Sequence, residues 1–247
     1  MIHLEPLPGA PGFGGDMNAI VVAAVRDATT LADAGFDGLM VENFGDAPFF
    51  AEDVPKTTVA AMASAVGAVI SATTLPTGVN VLRNDAAAAL AIAAATGAGF
   101  IRVNVLSGTM FTDQGPIVGR AAAIGRMRAA LCPDVAILAD VFVKHATPPA
   151  GLTLEAAAKD LSARGGADAI VVSGPGTGSP ADPEDLEVVR AASALPVFVG
   201  SGVDEDTVGA LLTTADGAIV GTAVKSGGVT TPVDAERAAA VVAAARA

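Results

Sequence analysis

Two stretches late in the chain decide its reading: Pro196-Val-Phe-Val-Gly-Ser-Gly-Val203 and Ala215-Asp-Gly-Ala-Ile-Val-Gly-Thr-Ala-Val-Lys225. Each is a short apolar run that stops at glycine. Each is followed by helix-start or turn residues, Asp204-Glu-Asp-Thr-Val in the first case. At Gly200 and Gly202, and again at Gly221, no Cβ keeps an anion away from the backbone N–H groups, and Ser201 and Thr222 add hydroxyls. Two neighbouring strands ending this way, beside a helix N-terminus, suit a phosphate dianion. Either stretch alone is most simply a turn. As a pair at the end of the chain they match the phosphate site that (β/α)8 barrels build after strands 7 and 8.

The rest of the chain is consistent with that count. Apolar runs predict strands over 2–4, 38–42, 75–82, 100–105, 135–143 and 169–172, before the two late ones. Helical spacing and caps predict helices over 17–34, 56–71, 86–96, 115–131, 153–164, 183–194, 205–213 and 233–246. Alternation of this kind means parallel βαβ units, and the Val/Ile/Leu-rich strands read as buried on both faces. Connections after strands are long (5–16, 43–55, 106–114, 173–181), whereas those after helices are short, as in Ala34-Gly-Phe-Asp-Gly38. Long loops on one face are the plan of a barrel with its site at the carboxyl ends of the strands. A doubly wound open sheet fits less well, because no early Gly-x-Gly-x-x-Gly opens a helix. The expectation is one α/β domain over 1–247, a single (β/α)8 TIM barrel of the phosphate-binding type with a shortened N-terminus.

Composition narrows the function classes. The net charge of −12 and the absence of a Lys/Arg cluster argue against nucleic acid as a partner. Apolar residues make up 52% of the chain, but polar residues or glycine interrupt every run before it spans a bilayer, so no membrane insertion is expected. No basic, apolar leader opens the sequence, and Cys132 is the single cysteine, which makes a cytoplasmic location the natural expectation. No P-loop is present, and Ser173 lacks the surroundings of a hydrolase nucleophile.

Polar residues at the ends of buried strands need a reason. His3 ends strand 1, Glu42 strand 2 and Asn80 strand 3; Arg102 and Asn104 share one face of strand 4 by period two. Asp140 lies near the end of strand 5, with Lys144 and His145 just beyond. In a closed barrel these groups converge on one mouth. Glu42, Asp140, Lys144 and His145 are the candidate catalytic acids and bases. His3, Asn80, Arg102, Asn104, Thr177, Gly200, Ser201, Gly202, Gly221 and Thr222 are candidate substrate-binding residues. Arg102 has a second reading, a buried ion pair with Asp140 or Glu42. Asn80 and Asn104 have one too, as hydrogen bonders to loop backbone. Glu42, Asp46, Asp113 and Asp140 offer oxygens that suit Mg2+, while no Cys/His spacing suits zinc. Nothing calls for a redox cofactor.

Several blocks together resemble the BtpA family (BtpA/SgcQ). They are Met1-Ile-His-Leu-Glu-Pro-Leu-Pro-Gly, Val41-Glu-Asn-Phe-Gly-Asp-Ala-Pro-Phe49, Arg102-Val-Asn-Val, Thr112-Asp-Gln-Gly115, Asp140-Val-Phe-Val-Lys-His-Ala146 and Gly200-Ser-Gly-Val203. The resemblance runs through nearly the whole chain in order. It implies a barrel related to phosphate-binding barrels such as the tryptophan synthase alpha chain, and the family is named for a role in photosystem I accumulation in cyanobacteria. The expected function is action on a small phosphorylated metabolite by acid–base chemistry of the isomerase or lyase type. The alternatives are a non-catalytic assembly or biogenesis factor and a Mg2+-dependent phosphohydrolase. A homo-oligomer is expected by analogy with such barrels.

Overall fold

The computed structural model describes residues 1–174 and 176–247. Eight short parallel strands form one curled sheet: β1 (Ile2–His3), β2 (Leu39–Glu42), β3 (Thr77–Asn80), β4 (Phe100–Val103), β7 (Ala136–Val141), β9 (Ala169–Val172), β10 (Val197–Val199) and β11 (Gly217–Ala218). They neighbour one another in that order. Helices α1 (Met17–Ala34), α2 (Lys56–Ala72), α3 (Ala86–Thr96), α4 (Ala121–Leu131), α5 (Leu154–Asp160), α6 (Pro183–Ala192), α7 (Val208–Leu211) and α8 (Ala235–Ala245) alternate with them. This is the expected (β/α)8 barrel. Among the described residues β1 and β11 share no ladder, and the ring is joined there by the Met1 nitrogen donating to Val220 O at 2.8 Å.

Local chemistry explains the helix boundaries. Asp16, Asp85, Thr153, Asp182 and Asp234 accept amide protons in the first turns of α1, α3, α5, α6 and α8. Gly35 and Gly97 end α1 and α3 in the left-handed region. Alanine-rich α3 buries Ala86, Ala88, Ala89, Leu90, Ile92 and Ala93, so small side chains let it sit close against its neighbours. Inside the barrel two glycines make room for aromatic rings. A Cβ on Gly78 would lie 2.1 Å from Phe100, and one on Gly217 would lie 2.5 Å from Phe198. Below these rings, at the amino ends of the strands, a cavity of about 600 Å3 is lined by Phe36, Met40, Phe100, Leu138 and Phe198.

One region differs from expectation. Residues 106–118 do not run from loop into helix. They form a hairpin, β5 (Thr109–Thr112) and β6 (Gly115–Val118), joined on its other edge by β8 (Ala146–Thr147). The turn works because Gly115 takes φ +97° and Thr112 Oγ1 donates to Gly115 O. Helix α4 therefore starts at Ala121 rather than at Gly115. The hairpin has its own small core of Val105, Met110, Ile117 and Val143. The expected helix over 205–213 is likewise only the single turn of α7.

Candidate functional site

Strand register assembles the mouth. His3 pairs with Glu42, Glu42 with Asn80, and Asn80 with Arg102, so four polar residues form one row across β1 to β4. Their partners then separate them into two groups.

Arg102 and Asp140 form a closed pair. Arg102 Nε donates to Asp140 Oδ1 at 2.8 Å and Nη2 donates to Oδ2 at 3.0 Å. Asn104 Nδ2 adds a third bond to Asp140 Oδ2 at 2.8 Å. Asp140's side chain is 0% exposed and that of Arg102 2%. Burial works to lower the guanidinium's affinity for its proton, but the adjacent Asp140 charge and its hydrogen bonds outweigh it and raise the pKa. Asn80 Nδ2 donates to Arg102 O at 3.1 Å and to Asn104 Oδ1 at 3.3 Å, which leaves Asn80 Oδ1 buried without a partner. The ion-pair reading of Arg102 is the geometry present, with Asp140 rather than Glu42 as partner.

Glu42 and Lys144 are open. Glu42 is 3% exposed, yet the one basic side chain within ion-pair distance of it among the described residues is His3, whose Nε2 lies 3.7 Å away, beyond hydrogen-bond reach. His3 is fixed by the bond from its Nδ1 to Val229 O at 2.9 Å and lies against Phe44, ring centroids 4.8 Å apart. Burial, with Lys225 nearby, pushes His3 down to about 3, so its imidazole is neutral and Nδ1 carries the proton. Lys144 has no ion-pair or hydrogen-bond partner for its amine among the described residues. Burial lowers its pKa against the pull of Glu42.

Both groups face a cavity of about 310 Å3. The same cavity is lined by Gly200, Ser201, Gly202, Gly221 and Thr222, as well as Thr177. The amides of Ser201, Gly202, Val203, Gly221 and Thr222 make no backbone hydrogen bond among the described residues. The glycines have a further cause not legible in sequence. A Cβ on Gly200 would lie 2.6 Å from Val171 Cγ1, and one on Gly202, at φ +63°, would lie 2.3 Å from the Pro180 backbone. Close chain packing thus demands both glycines, and the free amides come with it. Ser201 Oγ is committed to Gly176 O at 2.9 Å, tying this turn to the loop after β9. Pro175, within the Gly174–Gly178 turn, lies outside the described residues.

Other candidates fall elsewhere. His145 Nε2 accepts from the amide of Thr177 at 3.2 Å and lies 3.0 Å from its hydroxyl; it lines a second, adjoining cavity rather than the first. Partial burial, with Arg83 and Lys144 close by, lowers its pKa. The four carboxylates considered for Mg2+ are not gathered. Asp46 accepts from the Leu7 amide at 2.8 Å and from Asn43 Nδ2 at 3.0 Å, Asp113 from Gln114, and Asp140 is sealed as above. Among the described residues no group of three or more His, Cys, Asp or Glu side chains is arranged to hold a metal ion. Sequence reading missed Arg83 and Arg237, both at the mouth. Arg237 sits on the exposed start of α8, and nothing in helical spacing points it at a cavity.

An eight-stranded parallel barrel with a polar mouth and glycine turns after its last two strands defines the class. Solved structures agree on the fold. Thiamine phosphate pyrophosphorylase from Pyrococcus furiosus superposes with a TM-score of 0.60 at 14% identity, covering 91% of this chain and 89% of its own. Geranylgeranylglyceryl phosphate synthase from Thermoplasma acidophilum, solved with its substrate sn-glycerol-1-phosphate, gives 0.57 at 20% identity, covering 90% and 86%. The chain belongs to the BtpA family, whose model matches residues 1–247. The photosystem I biogenesis protein BtpA of Synechocystis is 48% identical over 98% of this chain and 85% of its own length. An uncharacterised protein of Thermococcus kodakarensis is 49% identical over 98% and 92%. Among the described residues no helix is long and apolar enough to cross a membrane.

Proposed function

We propose that this chain is a barrel enzyme that binds a small phosphorylated metabolite in the 310 Å3 cavity. The phosphate lies on the free amides of 201–203 and 221–222, with the Thr222 hydroxyl and Arg237 beside it. Glu42 and Lys144 exchange protons with the substrate carbon skeleton, chemistry of the isomerase or lyase type. One observation carries this reading: among the described residues, a buried carboxylate without a hydrogen bond and a desolvated amine face the same cavity as two turns whose amides make no backbone hydrogen bond. Asp140 is assigned a positioning role, because its oxygens are occupied by Arg102 and Asn104. His145, on the adjoining lobe, contacts the substrate's far end through Thr177. The thiamine phosphate and glycerol phosphate chemistry of the barrels named above agrees with a phosphorylated ligand.

The test is thermal stability against a panel of phosphorylated metabolites, with inorganic phosphate and Mg2+ as separate additions. A ligand at about a hundred times its Kd stabilises by about 2.7 kcal/mol. Thr222→Glu, which puts a negative charge over the amides, removes that shift. Gly202 is the wrong place for such a charge, since any side chain there meets Pro180. Glu42→Gln keeps the ligand shift and lowers turnover about 10²- to 10⁴-fold. If no phosphorylated compound shifts the transition, the reading is lost.

A second reading is a non-catalytic biogenesis factor, favoured by the name of the Synechocystis relative. It requires that Glu42→Gln and Lys144→Met chains restore function fully in cells lacking the protein.

A further inference from the structure

The mouth has a second lobe. A cavity of about 300 Å3 adjoins the first, and Glu42, Phe44, Lys144 and Thr177 line both. Its apolar part is Phe44, Phe49 and Leu82, and Arg83, Asn104, Asp113 and His145 complete the lining. Arg83 is 5% exposed. Its Nη2 donates to Lys144 O, the only hydrogen bond its side chain makes among the described residues. No carboxylate there comes within ion-pair distance of it, although eight other lysines, arginines or histidines have one. Guanidinium carries five N–H donors and stays charged, and with one acceptor engaged its remaining donors are open to the cavity rather than sealed in protein. The segment is held firmly. Arg83 N donates to Phe50 O at 2.9 Å, and Asn84 bonds both backbone groups of Val105 at 2.7 and 3.0 Å. A rigid backbone presenting an under-partnered cation into a cavity is a built anion receptor.

We infer that Arg83 receives a carboxylate of the substrate, so that the ligand carries a phosphate at one end and a carboxylate at the other. The planar fork of an arginine matches a carboxylate with two parallel hydrogen bonds, whereas the dianion of a second phosphate would be set against both Glu42 and Asp113, which line the same lobe. Held at both ends, the ligand's middle lies between the lobes, where Glu42 and Lys144 stand. The inference rests on the proposed phosphate reading for the ligand's far end only.

The test uses matched pairs that differ in an acid against an alcohol: 3-phosphoglycerate and glycerol 3-phosphate, 4-phosphoerythronate and erythritol 4-phosphate, 6-phosphogluconate and sorbitol 6-phosphate. Isothermal titration measures each on the wild-type chain and on Arg83→Gln and Arg83→Lys. A charge-assisted bond of this kind corresponds to about 10- to 100-fold in affinity. The acid of at least one pair binds that much more tightly than its alcohol; the Gln variant loses the preference and the Lys variant keeps only part of it. Unchanged binding of the alcohol phosphates by the variants shows that they are folded. The inference is overturned if the wild type does not distinguish acid from alcohol, or if the preference survives in Arg83→Gln. Non-phosphorylated gluconate and erythronate separate the two readings. Arg83-dependent binding of these, without binding of any alcohol phosphate, sinks the phosphate site and leaves the carboxylate site standing.

Discussion

At the scale of single residues, the mouth separates charges that hold the barrel from charges left available. Asp140 belongs to the first kind. Asp140→Asn leaves Arg102 buried without its counter-ion, and the expected loss is about 3–5 kcal/mol in urea denaturation. The double change Arg102→Met with Asp140→Leu removes both charges and costs less than the single one. Glu42→Gln, in contrast, breaks no hydrogen bond among the described residues and leaves stability close to that of the wild type. His3 gives a pH signature. Its imidazole protonates near 6.5 when unfolded and near about 3 when folded. Between those values the unfolded chain binds more protons, so stability falls as pH falls through that window. The difference in unfolding free energy between wild type and His3→Gln should vary from about pH 6.5 down to about 3 and be flat above. Period two on β4 made Arg102 and Asn104 readable, because an apolar strand interrupted at alternate positions has few explanations. Arg83 was not readable: it stands at a strand-to-helix junction beside Asn84 and Asp85, where a charged residue in sequence looks like any solvated loop.

At the scale of elements, the strands and helices with strong caps or uninterrupted apolar runs lie where their sequence puts them; α1 and α3 match to the residue. The hairpin did not, because Ile117-Val118 runs on into the alanine-rich α4 and the two periods merge. Its signal was present in Thr109-Met-Phe-Thr followed by Asp-Gln-Gly, alternation and then a turn residue suited to positive φ. Because the hairpin packs on a four-residue core apart from the main one, it is a separable unit of stability. Ile117→Ala should speed hydrogen exchange of amides 109–118 while leaving the exchange of β3 and β4 unchanged. The block Val41–Phe49 is one of those that carry the resemblance, and its physical content is a clasp. Asn43 and Asp46 bind the backbones of Leu82 and Leu7, which sets Phe44 against His3. A Cβ on Gly45 would lie 2.4 Å from Pro6 N, so Gly45→Ala should lower stability by about 1–3 kcal/mol and loosen the mouth with it.

At the scale of the whole molecule, the fold was legible because eight buried strands alternating with helices leave few other arrangements. How the ring joins was not, since strand pairing depends on a register that no local pattern encodes at two-residue strands such as β1 and β11. With no strand ladder across that junction among the described residues, and the Met1–Val220 and His3–Val229 bonds in its place, the barrel is mechanically a split ring. Such a ring is stiff opposite its gap and compliant at it, so amides of β11 and the following turn should exchange faster than those of β4 and β7. The gap falls between Gly221 and Thr222 on one side and His3 and Glu42 on the other. A ligand that touches both sides works as the pin of a clasp, adding hoop stiffness to that of the Met1–Val220 and His3–Val229 bonds.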